Sequence, residues 1–142
     1  MTDSPTDPDL RRRFLGLWRF SGSTRNGTTH PDRGSGSTGY ILYHDSGTMM
    51  VQVMPGHDRG AFADPDHPTP AEAAAAFRGS IAYFGTWQVD AATGTVIHTR
   101  TGSINPSTIM PVVRRFAFDG ADRVILNPVE HPENRIIWER VR

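Results

Sequence analysis

The sequence predicts an all-β protein, an eight-stranded antiparallel up-and-down β-barrel with one or two short helices. Short runs rich in aromatic and β-branched residues alternate with Gly-, Asp- and Ser-containing turns. Apart from one helical segment, the connections between these runs are too short for a parallel crossover. Closing such a meander removes both sheet edges, and eight strands enclose room for side chains or one small ligand.

The length and charge of the chain limit its organisation and its partners. At 142 residues it is expected to be one domain, with residues 1–9 as a flexible N-terminal tail and residues 10–142 as the barrel. The 15 basic residues, all arginine, equal the acidic residues in number. A net charge of zero gives no reason to expect nucleic acid or an anionic membrane as a partner.

The composition also excludes several kinds of chemistry. The chain has no cysteine and no lysine, which excludes disulfides, thiolate nucleophiles, cysteine metal ligands and Schiff-base catalysis. Residues 1–9 are polar and resemble no signal peptide. No later stretch is long and apolar enough to span a bilayer. We therefore expect a cytoplasmic protein without a membrane span.

In the first half of the chain we expect one or two helical turns over 9–14 and a strand over 15–21. A Gly-, Ser- and Thr-rich loop is predicted over 22–37, followed by a hairpin of strands 38–44 and 48–54. Both faces of the second hairpin strand are apolar, so we expect it to be covered on both sides.

A capping box gives the clearest local signal. Thr69-Pro70-Ala71-Glu72 combines an N-cap threonine, a proline at the first helical position and a glutamate that can return to the cap. It predicts a helix over 71–78, ended by Gly79 in the left-handed conformation. The remaining strands are predicted over 81–90, 94–101, 112–118, 123–127 and 135–141.

Two sets of residues resemble known barrels. Gly16-Leu17-Trp18 is similar to the Gly-x-Trp signature of lipocalin and calycin barrels. In those barrels the tryptophan plugs the closed end and an arginine of the last strand packs on it, a place that Arg140 would take here. Further blocks are Gly39-Tyr40-Ile41-Leu42-Tyr43, Tyr83-Phe84-Gly85 and Arg114-Arg115-Phe116. Together they resemble the bacterial and fungal lipocalin-like domain family over about residues 15–141.

The resemblance implies a lipocalin-like barrel that holds a small ligand. Many family members belong to secondary-metabolite pathways, as binding proteins or as helpers of cyclisation and isomerisation. One departure stands out: after Asn105-Pro106 the family usually has a Trp-Val-Gly-Thr-type segment, whereas this chain has residues 107–111 of a different type. Because that loop borders the barrel mouth, ligand choice is expected to differ.

One face of the 81–101 hairpin carries an unusual mixture of side chains. Tyr83, Trp87, His98 and Arg100 fall on it, with Gly85 between the two aromatic residues. His98 is either a hydrogen-bonded core histidine or a general acid or base, and Tyr83 is the second catalytic candidate. Gly85 either makes room for a ligand or marks a close approach of two backbones.

The predicted ligand-binding residues are those expected to face the lumen, that is, the barrel interior. They are Tyr40, Met50, Gln52, Trp87, Arg100, Asn105, Arg114 and Phe116. An unpaired cation in an apolar lumen is costly, so Arg100 and Arg114 either lie outside or meet an anionic or carbonyl-rich ligand. The spacing of histidines and acids over 57–67 matches no metal-binding pattern, and no metal is expected.

These residues support two main hypotheses. The first is the binding of a small apolar, oxygen-bearing ligand, such as a polyketide, a terpenoid or a fatty-acid-like molecule. The alternative is a cofactor-free cyclase, isomerase or dehydratase of secondary metabolism, with His98 or Tyr83 as acid or base. Haem ligation by His98 is a third possibility, although no cofactor is expected. The protein is expected to be a monomer or a homodimer.

Overall fold

In the computed structural model, residues 6–31, 36–107 and 110–142 are described, and most of them are in β-strands. The two helices are α1, Asp7–Phe14, and α2, Pro70–Phe77. The strands are β1 Gly16–Arg25, β2 Thr28–Thr29, β3 Thr38–Tyr43, β4 Thr48–Met54, β5 Ile81–Asp90, β6 Thr95–Ser103, β7 Val112–Phe118, β8 Arg123–Pro128 and β9 Asn134–Arg140.

The strands form one antiparallel sheet that closes on itself. Its order is β2-β1-β3-β4-β5-β6-β7-β8-β9, and β1 also pairs with β9. The two-residue strand β2 pairs only with the end of β1, so the other eight strands make up the barrel. The predicted up-and-down, eight-stranded barrel is confirmed, together with its two short helices.

The first strand is longer than predicted. A register shift between Phe20 and Gly22 bends β1 and lets it continue beside β9 to Arg25. The turn Asn26-Gly27 then has positive φ angles of 53° and 81°, as two-residue hairpins require. The loop predicted over 22–37 therefore begins as a strand and a small hairpin, and its residues 32–35 lie outside the described residues.

Helix α1 covers one end of the barrel. It starts at Asp7, capped by the side chain of Thr6, so it takes in the last three residues of the predicted tail, while residues 1–5 lie outside the described part. The Phe14 ring is fully buried, and its centroid lies 5.3 Å from that of Tyr43 and 5.1 Å from that of Phe116. The aromatic contacts of Phe14 thus close this end.

The same end is sealed by a tryptophan and an arginine, as the sequence resemblance predicted. The buried indole N–H of Trp18 donates to the carbonyl oxygen of Phe14 over 2.8 Å. The guanidinium of Arg140 lies 4.2 Å from the Trp18 ring centroid. It also donates to the carbonyl oxygens of Arg13, Leu15 and Ala121 at 2.6, 2.7 and 3.2 Å.

Helix α2 lies in the connection between β4 and β5 and has the predicted capping box. The Thr69 hydroxyl accepts from the backbone N–H of Glu72 over 3.2 Å, and the Glu72 carboxylate accepts from the backbone N–H of Thr69 over 2.8 Å. Gly79 follows the helix with φ of 76°. Within the described ranges, neither helix has the length and apolar character needed to cross a membrane.

We predict that Arg140→Met destabilises the fold by about 2 kcal/mol, because three carbonyl oxygens lose a charged donor and Trp18 loses its cation. The matched control is Arg142→Met, since Arg142 is exposed and its described partner is Asp122, a carboxylate that also lies 3.5 Å from Nε of Arg140. The control should change the free energy of unfolding by less than about 0.5 kcal/mol. Urea denaturation of the three proteins measures both values, and equal losses in the two variants would contradict the prediction.

Candidate functional site

Large side chains fill most of the lumen. Alternate residues of the barrel strands point inward, and the described buried cluster is made of aromatic and aliphatic residues. Its members from the strands are Trp18, Phe20, Ile41, Tyr43, Met49, Val51, Val53, Tyr83, Trp87, Val96, Val124, Leu126, Ile136 and Trp138. Between the described residues, enclosed space remains away from the end that α1 covers.

Two connected hollows occupy that remaining space. The inner one, here called the inner chamber, has a volume of about 30 Å³. Its walls are Phe20, Ile41, Val51, Val53, Ile81, Tyr83, His98, Arg114, Leu126, Ile136 and Trp138. The outer one, here called the mouth hollow, has about 160 Å³ and is lined by Ser23, Ile81, Arg114, Pro128, Glu130, His131, Asn134 and Ile136. Three residues are common to both, so the hollows adjoin at Ile81, Arg114 and Ile136.

A tyrosine–histidine–tyrosine network forms the polar floor of the inner chamber. His98 is completely buried, and its Nε2 lies 2.7 Å from the Tyr43 hydroxyl oxygen. Its Nδ1 lies 2.8 Å from the hydroxyl oxygen of Tyr83. Strands β3, β5 and β6 each contribute one of these three side chains. Both ring nitrogens of His98 are therefore satisfied, which allows an imidazole in this apolar setting.

Burial keeps His98 and Tyr43 uncharged. Desolvation, followed by the charges of Arg114 and Arg100, lowers the pKa of His98 from 6.5 to about 3. Burial, with a smaller effect of Tyr83, raises the pKa of Tyr43 well above its ordinary value. At neutral pH His98 is thus a neutral imidazole and Tyr43 a neutral phenol. His98 therefore orients the two tyrosines. Because its ring is not protonated, it cannot act as an acid in the way an imidazolium does.

Arg114 is the charged residue of the inner chamber. It lies on β7, half-buried, between the largely apolar walls of the inner chamber and the more polar mouth hollow, which Glu130 and His131 also line. Among the described residues, no carboxylate pairs with its guanidinium and no oxygen accepts a hydrogen bond from it. A cation in such surroundings lowers stability unless it finds a counter-charge or water. Arg114 therefore stands out as the residue with unused binding capacity.

Four buried side-chain polar atoms lack a partner among the described residues, those of Ser23, Ser37, Arg123 and Trp138, and two of the four residues line the hollows. The indole Nε1 of Trp138 belongs to a residue that is only 3% exposed and that lines the inner chamber. The hydroxyl of Ser23, 4% exposed, belongs to a residue that lines the mouth hollow. Buried polar groups without partners are uncommon in folded proteins. Both occur beside the two hollows.

Two predicted ligand-binding residues lie at the closed end instead. The indole N–H of Trp87 donates to the carbonyl oxygen of His44 over 2.9 Å, and its ring packs on Tyr43. Phe116 packs against Phe14 and Phe118. Neither lines the inner chamber or the mouth hollow. Both instead pack with Phe14, Tyr43 and Phe118 in a cluster of rings at the closed end, here called the aromatic plug.

Gly85 does not make room for a ligand. A Cβ atom at this position would lie 1.9 Å from the carbonyl oxygen of Thr99 on the neighbouring strand. A register shift between Phe84 and Gly85 brings the two backbones this close. The glycine therefore permits the bend of the β5–β6 hairpin, the structural alternative considered above.

Arg100 and Asn105 lie beyond the inner chamber. The Arg100 guanidinium donates to the carbonyl oxygen of Met110 over 3.1 Å and lies 5.5 Å from the Tyr83 ring centroid. The Asn105 side chain accepts from the backbone N–H of Ser107 over 3.0 Å. These contacts order the β6–β7 connection, where the sequence departs from the family pattern; its residues 108 and 109 lie outside the described part.

The predicted lumen positions of Tyr40, Met50 and Gln52 are wrong. All three point outward, and Tyr40 and Met50 are 51% and 52% exposed. Their neighbours in β3 and β4 fill the lumen instead, because the pairing of the strands sets the opposite face inward. The expected cover on both faces of β4 is also absent. On the outer surface they border an open groove of about 610 Å³ with Leu17, Leu42, Phe84, Ile104 and neighbouring residues.

Tyr43 and Trp138 are site residues that the sequence reasoning missed. Tyr43 belongs to the same apolar run as Tyr40, and the run has no polar face that would tell the two apart. Alternation within β9 offered a signal, because Ile136 and Trp138 share a face opposite Arg135 and Glu139. Of the predicted site residues, the structure brings Tyr83, His98 and Arg114 together at the inner chamber.

The chain does not fit a haem group at this site. Both nitrogens of His98 are engaged by tyrosines, and the inner chamber is far smaller than a porphyrin. Over the described residues, no three histidine, aspartate or glutamate side chains are grouped as metal ligands would be. In the 57–67 segment, His67 pairs with Asp64 over 3.0 Å.

The match to a family model agrees with this architecture. The sequence profile of the lipocalin-like domain family matches residues 15–140. A search of curated proteins gave no match. Among solved structures, a redesigned β-barrel is similar with a TM-score of 0.45 and 15% identity, covering 93% of this chain and 95% of its own.

We predict that His98 stays neutral in the folded protein well below its ordinary pKa. Between about pH 6.5 and 3 the unfolded chain binds a proton at His98 that the native chain does not. The free energy of unfolding should therefore fall as the pH falls, by up to about 1.4 kcal/mol per pH unit from this residue. NMR titration of the imidazole is the direct measurement, and His98→Gln should remove this part of the pH slope. A His98 midpoint above about pH 5 would contradict the prediction.

Proposed function

We propose, since the chain belongs to the lipocalin-like domain family, that it binds a small molecule in the lumen, at the inner chamber and the mouth hollow. The ligand combines an apolar body with at least one oxygen. Apolar walls supply most of the binding energy, and a few polar groups fix its orientation. Tyr83 and Arg114 are the polar groups that touch it.

The observation that carries the proposal is the unpaired guanidinium of Arg114. It belongs to the walls of both hollows, and no described carboxylate forms an ion pair with it, although Glu130 also lines the mouth hollow. A cation without a partner in a largely apolar wall has no structural benefit that would offset its desolvation. An oxygen of a ligand would supply the missing acceptor, which supports a binding role.

The volumes limit the size of the ligand. A water molecule needs about 10–15 Å³ of such space, so the inner chamber, at about 30 Å³, holds a group of about two or three heavy atoms. Pockets for drug-sized ligands measure about 300–1,000 Å³. We therefore propose a compact ligand, or a longer one of which only the oxygen-bearing end enters. A whole polyketide or terpenoid would not fit without displacing the aromatic plug.

The outer groove is the larger space, but its chemistry supports a ligand site less well. Its walls contain no charged residue and it is open to solvent, although the buried Tyr83 belongs to its walls as well as to those of the inner chamber. Selective small-molecule sites combine an apolar enclosure with a few convergent polar groups. The lumen has that combination at Tyr83, His98 and Arg114.

A second candidate is a cofactor-free isomerase, cyclase or dehydratase acting in the same place. The chain of hydrogen bonds from Tyr43 through His98 to Tyr83 supports it, because it ends at a hydroxyl beside the inner chamber. Since the neutral His98 is a weak base, Tyr83 would donate the proton to a ligand oxygen and Arg114 would stabilise negative charge there.

The binding proposal predicts that compact oxygen-bearing compounds raise the melting temperature of the wild-type protein. At a concentration of 100 Kd a ligand adds about 2.7 kcal/mol to the free energy of unfolding. Arg114→Met should weaken binding at least about tenfold, or 1.4 kcal/mol. Arg115→Met is the matched control, because the neighbouring Arg115 is exposed on the outer face.

Native mass spectrometry of the protein from its own host complements this panel by identifying any retained molecule. No stabilisation by any compound of the panel, together with no retained molecule, would count against a binding site in the lumen. Equal losses of affinity in the two arginine variants would move the site away from Arg114.

The catalytic candidate makes a separate prediction for Tyr83→Phe. This variant keeps the ring but loses the hydroxyl, so a ligand found by the panel or by mass spectrometry should bind to it with a Kd within about tenfold of the wild-type value. Conversion of that ligand, followed by liquid chromatography and mass spectrometry, should fall by about 10²–10⁴-fold, as loss of a general acid does. Conversion that survives in the variant would exclude Tyr83 as the acid, and no conversion by the wild type would leave binding as the function.

A further inference from the structure

We infer that the ligand of the inner chamber is an anion, a compact monocarboxylate whose charged end lies against Arg114, Tyr83 and Trp138 while its apolar end points to the mouth. The inference rests on the proposed binding function and names the chemical class that the site selects. It follows from the hydrogen-bonding capacity of the inner chamber, whose described walls have unused donors and no carboxylate.

The first unused donor is Arg114. Its guanidinium has five N–H groups in a planar fork that matches the two oxygens of a carboxylate. No described acidic residue lies in the walls of the inner chamber. Arg100 adds a second positive charge, felt at His98, and its hydrogen bonds go to the uncharged carbonyl oxygen of Met110. The local field therefore favours a negative ligand.

The second unused donor is a hydrogen of the tyrosine–histidine–tyrosine network. Two hydroxyl hydrogens and the single N–H of a neutral imidazole make three hydrogens for two contacts. One hydroxyl hydrogen of Tyr43 or Tyr83 must therefore point elsewhere. Tyr43 lines neither hollow, whereas Tyr83 lines the inner chamber.

The tautomer with hydrogen on Nδ1 satisfies this count best. Nδ1–H of His98 then donates to the Tyr83 oxygen, Tyr43 donates to Nε2, and the spare hydrogen belongs to Tyr83. The opposite tautomer would leave the hydrogen of the buried Tyr43 without an acceptor among the described residues, an unfavourable arrangement. Tyr83 is thus a hydrogen-bond donor towards the chamber.

The third unused donor is the indole N–H of Trp138. The other two tryptophans have carbonyl acceptors: Trp18 donates to Phe14 and Trp87 to His44, at 2.8 and 2.9 Å. Trp138 alone among them lacks a described partner, although it is almost completely buried. Because an indole N–H can only donate, its partner must be an acceptor. A carboxylate is an acceptor with room for several donors.

The orientation of the ligand follows from the remaining charges. The mouth hollow contains the carboxylate of Glu130 and the imidazole of His131, which lies 3.5 Å from Glu133. The acidic groups at the mouth disfavour an anion there. The carboxylate end therefore lies inward at Arg114, and the apolar end lies between Ile81 and Ile136.

The experiment follows the three indole N–H resonances of the wild-type protein in ¹H–¹⁵N spectra. The probes are 3-methylbutanoate and its neutral amide, 3-methylbutanamide, which match in shape and differ in charge. We expect 3-methylbutanoate to shift the Trp138 resonance saturably while those of Trp18 and Trp87 stay in place. Its affinity should exceed that of the amide at least tenfold.

Variants extend this test. Trp138→Phe assigns the resonance by its loss, Arg114→Met should remove the preference for the carboxylate, and Arg115→Met should retain it. Equal affinity of the amide, or a carboxylate-induced shift that spares Trp138, would overturn the anion inference while leaving a lumen binding site in place. Failure of both probes and of the whole thermal-shift panel would overturn the binding proposal itself. The comparison of the two probes uses only the wild type, so it holds even if a variant does not fold.

Discussion

Closure of the sheet between β1 and β9 is the constraint on which the rest of this barrel depends. Eight strands enclose a lumen hardly wider than the side chains that fill it. Where α1 and Trp18 close one end, the inward residues are large rings in mutual contact. Any space must therefore lie towards the other end, which is where the inner chamber and the mouth hollow adjoin. The packing of the closed end thus determines the place of the site before any polar residue is considered.

Two polar side chains in this lumen, those of His98 and Arg114, differ in whether their hydrogen-bonding groups have partners. His98 lies among apolar side chains with a tyrosine oxygen at each ring nitrogen, so its burial leaves no ring nitrogen unpaired. Arg114, nearer the mouth, has no described partner, and the Trp138 indole shares that property. A core that only had to be stable would satisfy both regions equally. This asymmetry between the two ends of one lumen supports the proposed site at the inner chamber.

Local signals predicted most elements of the fold, because capping boxes and turns act over a few residues. The exception is the start of the 22–37 segment, whose Gly- and Ser-rich composition indicated a loop while pairing with β9 made it a strand. The site was harder to predict. Where both faces of a strand are apolar, alternation cannot tell the inward Tyr43 from the outward Tyr40, and only strand pairing decides. The lack of a partner for Arg114 depends on where the acidic residues lie in space, which alternation within single strands does not reveal.

Two arginines show how structural and functional roles can be separated in one small protein. Arg140 donates hydrogen bonds to three backbone carbonyl oxygens, and its charge lies over a tryptophan ring. Its guanidinium therefore has its partners within the chain, which is a structural role. Arg114 borders the largely apolar inner chamber without such partners, and an aliphatic side chain of similar length would avoid the cost of desolvating a charge there. We propose that Arg114 is present for what it binds, since proteins often give up stability at their functional sites. For Arg114 that reasoning leads from the physics of a half-buried cation to the chemistry of an anionic ligand.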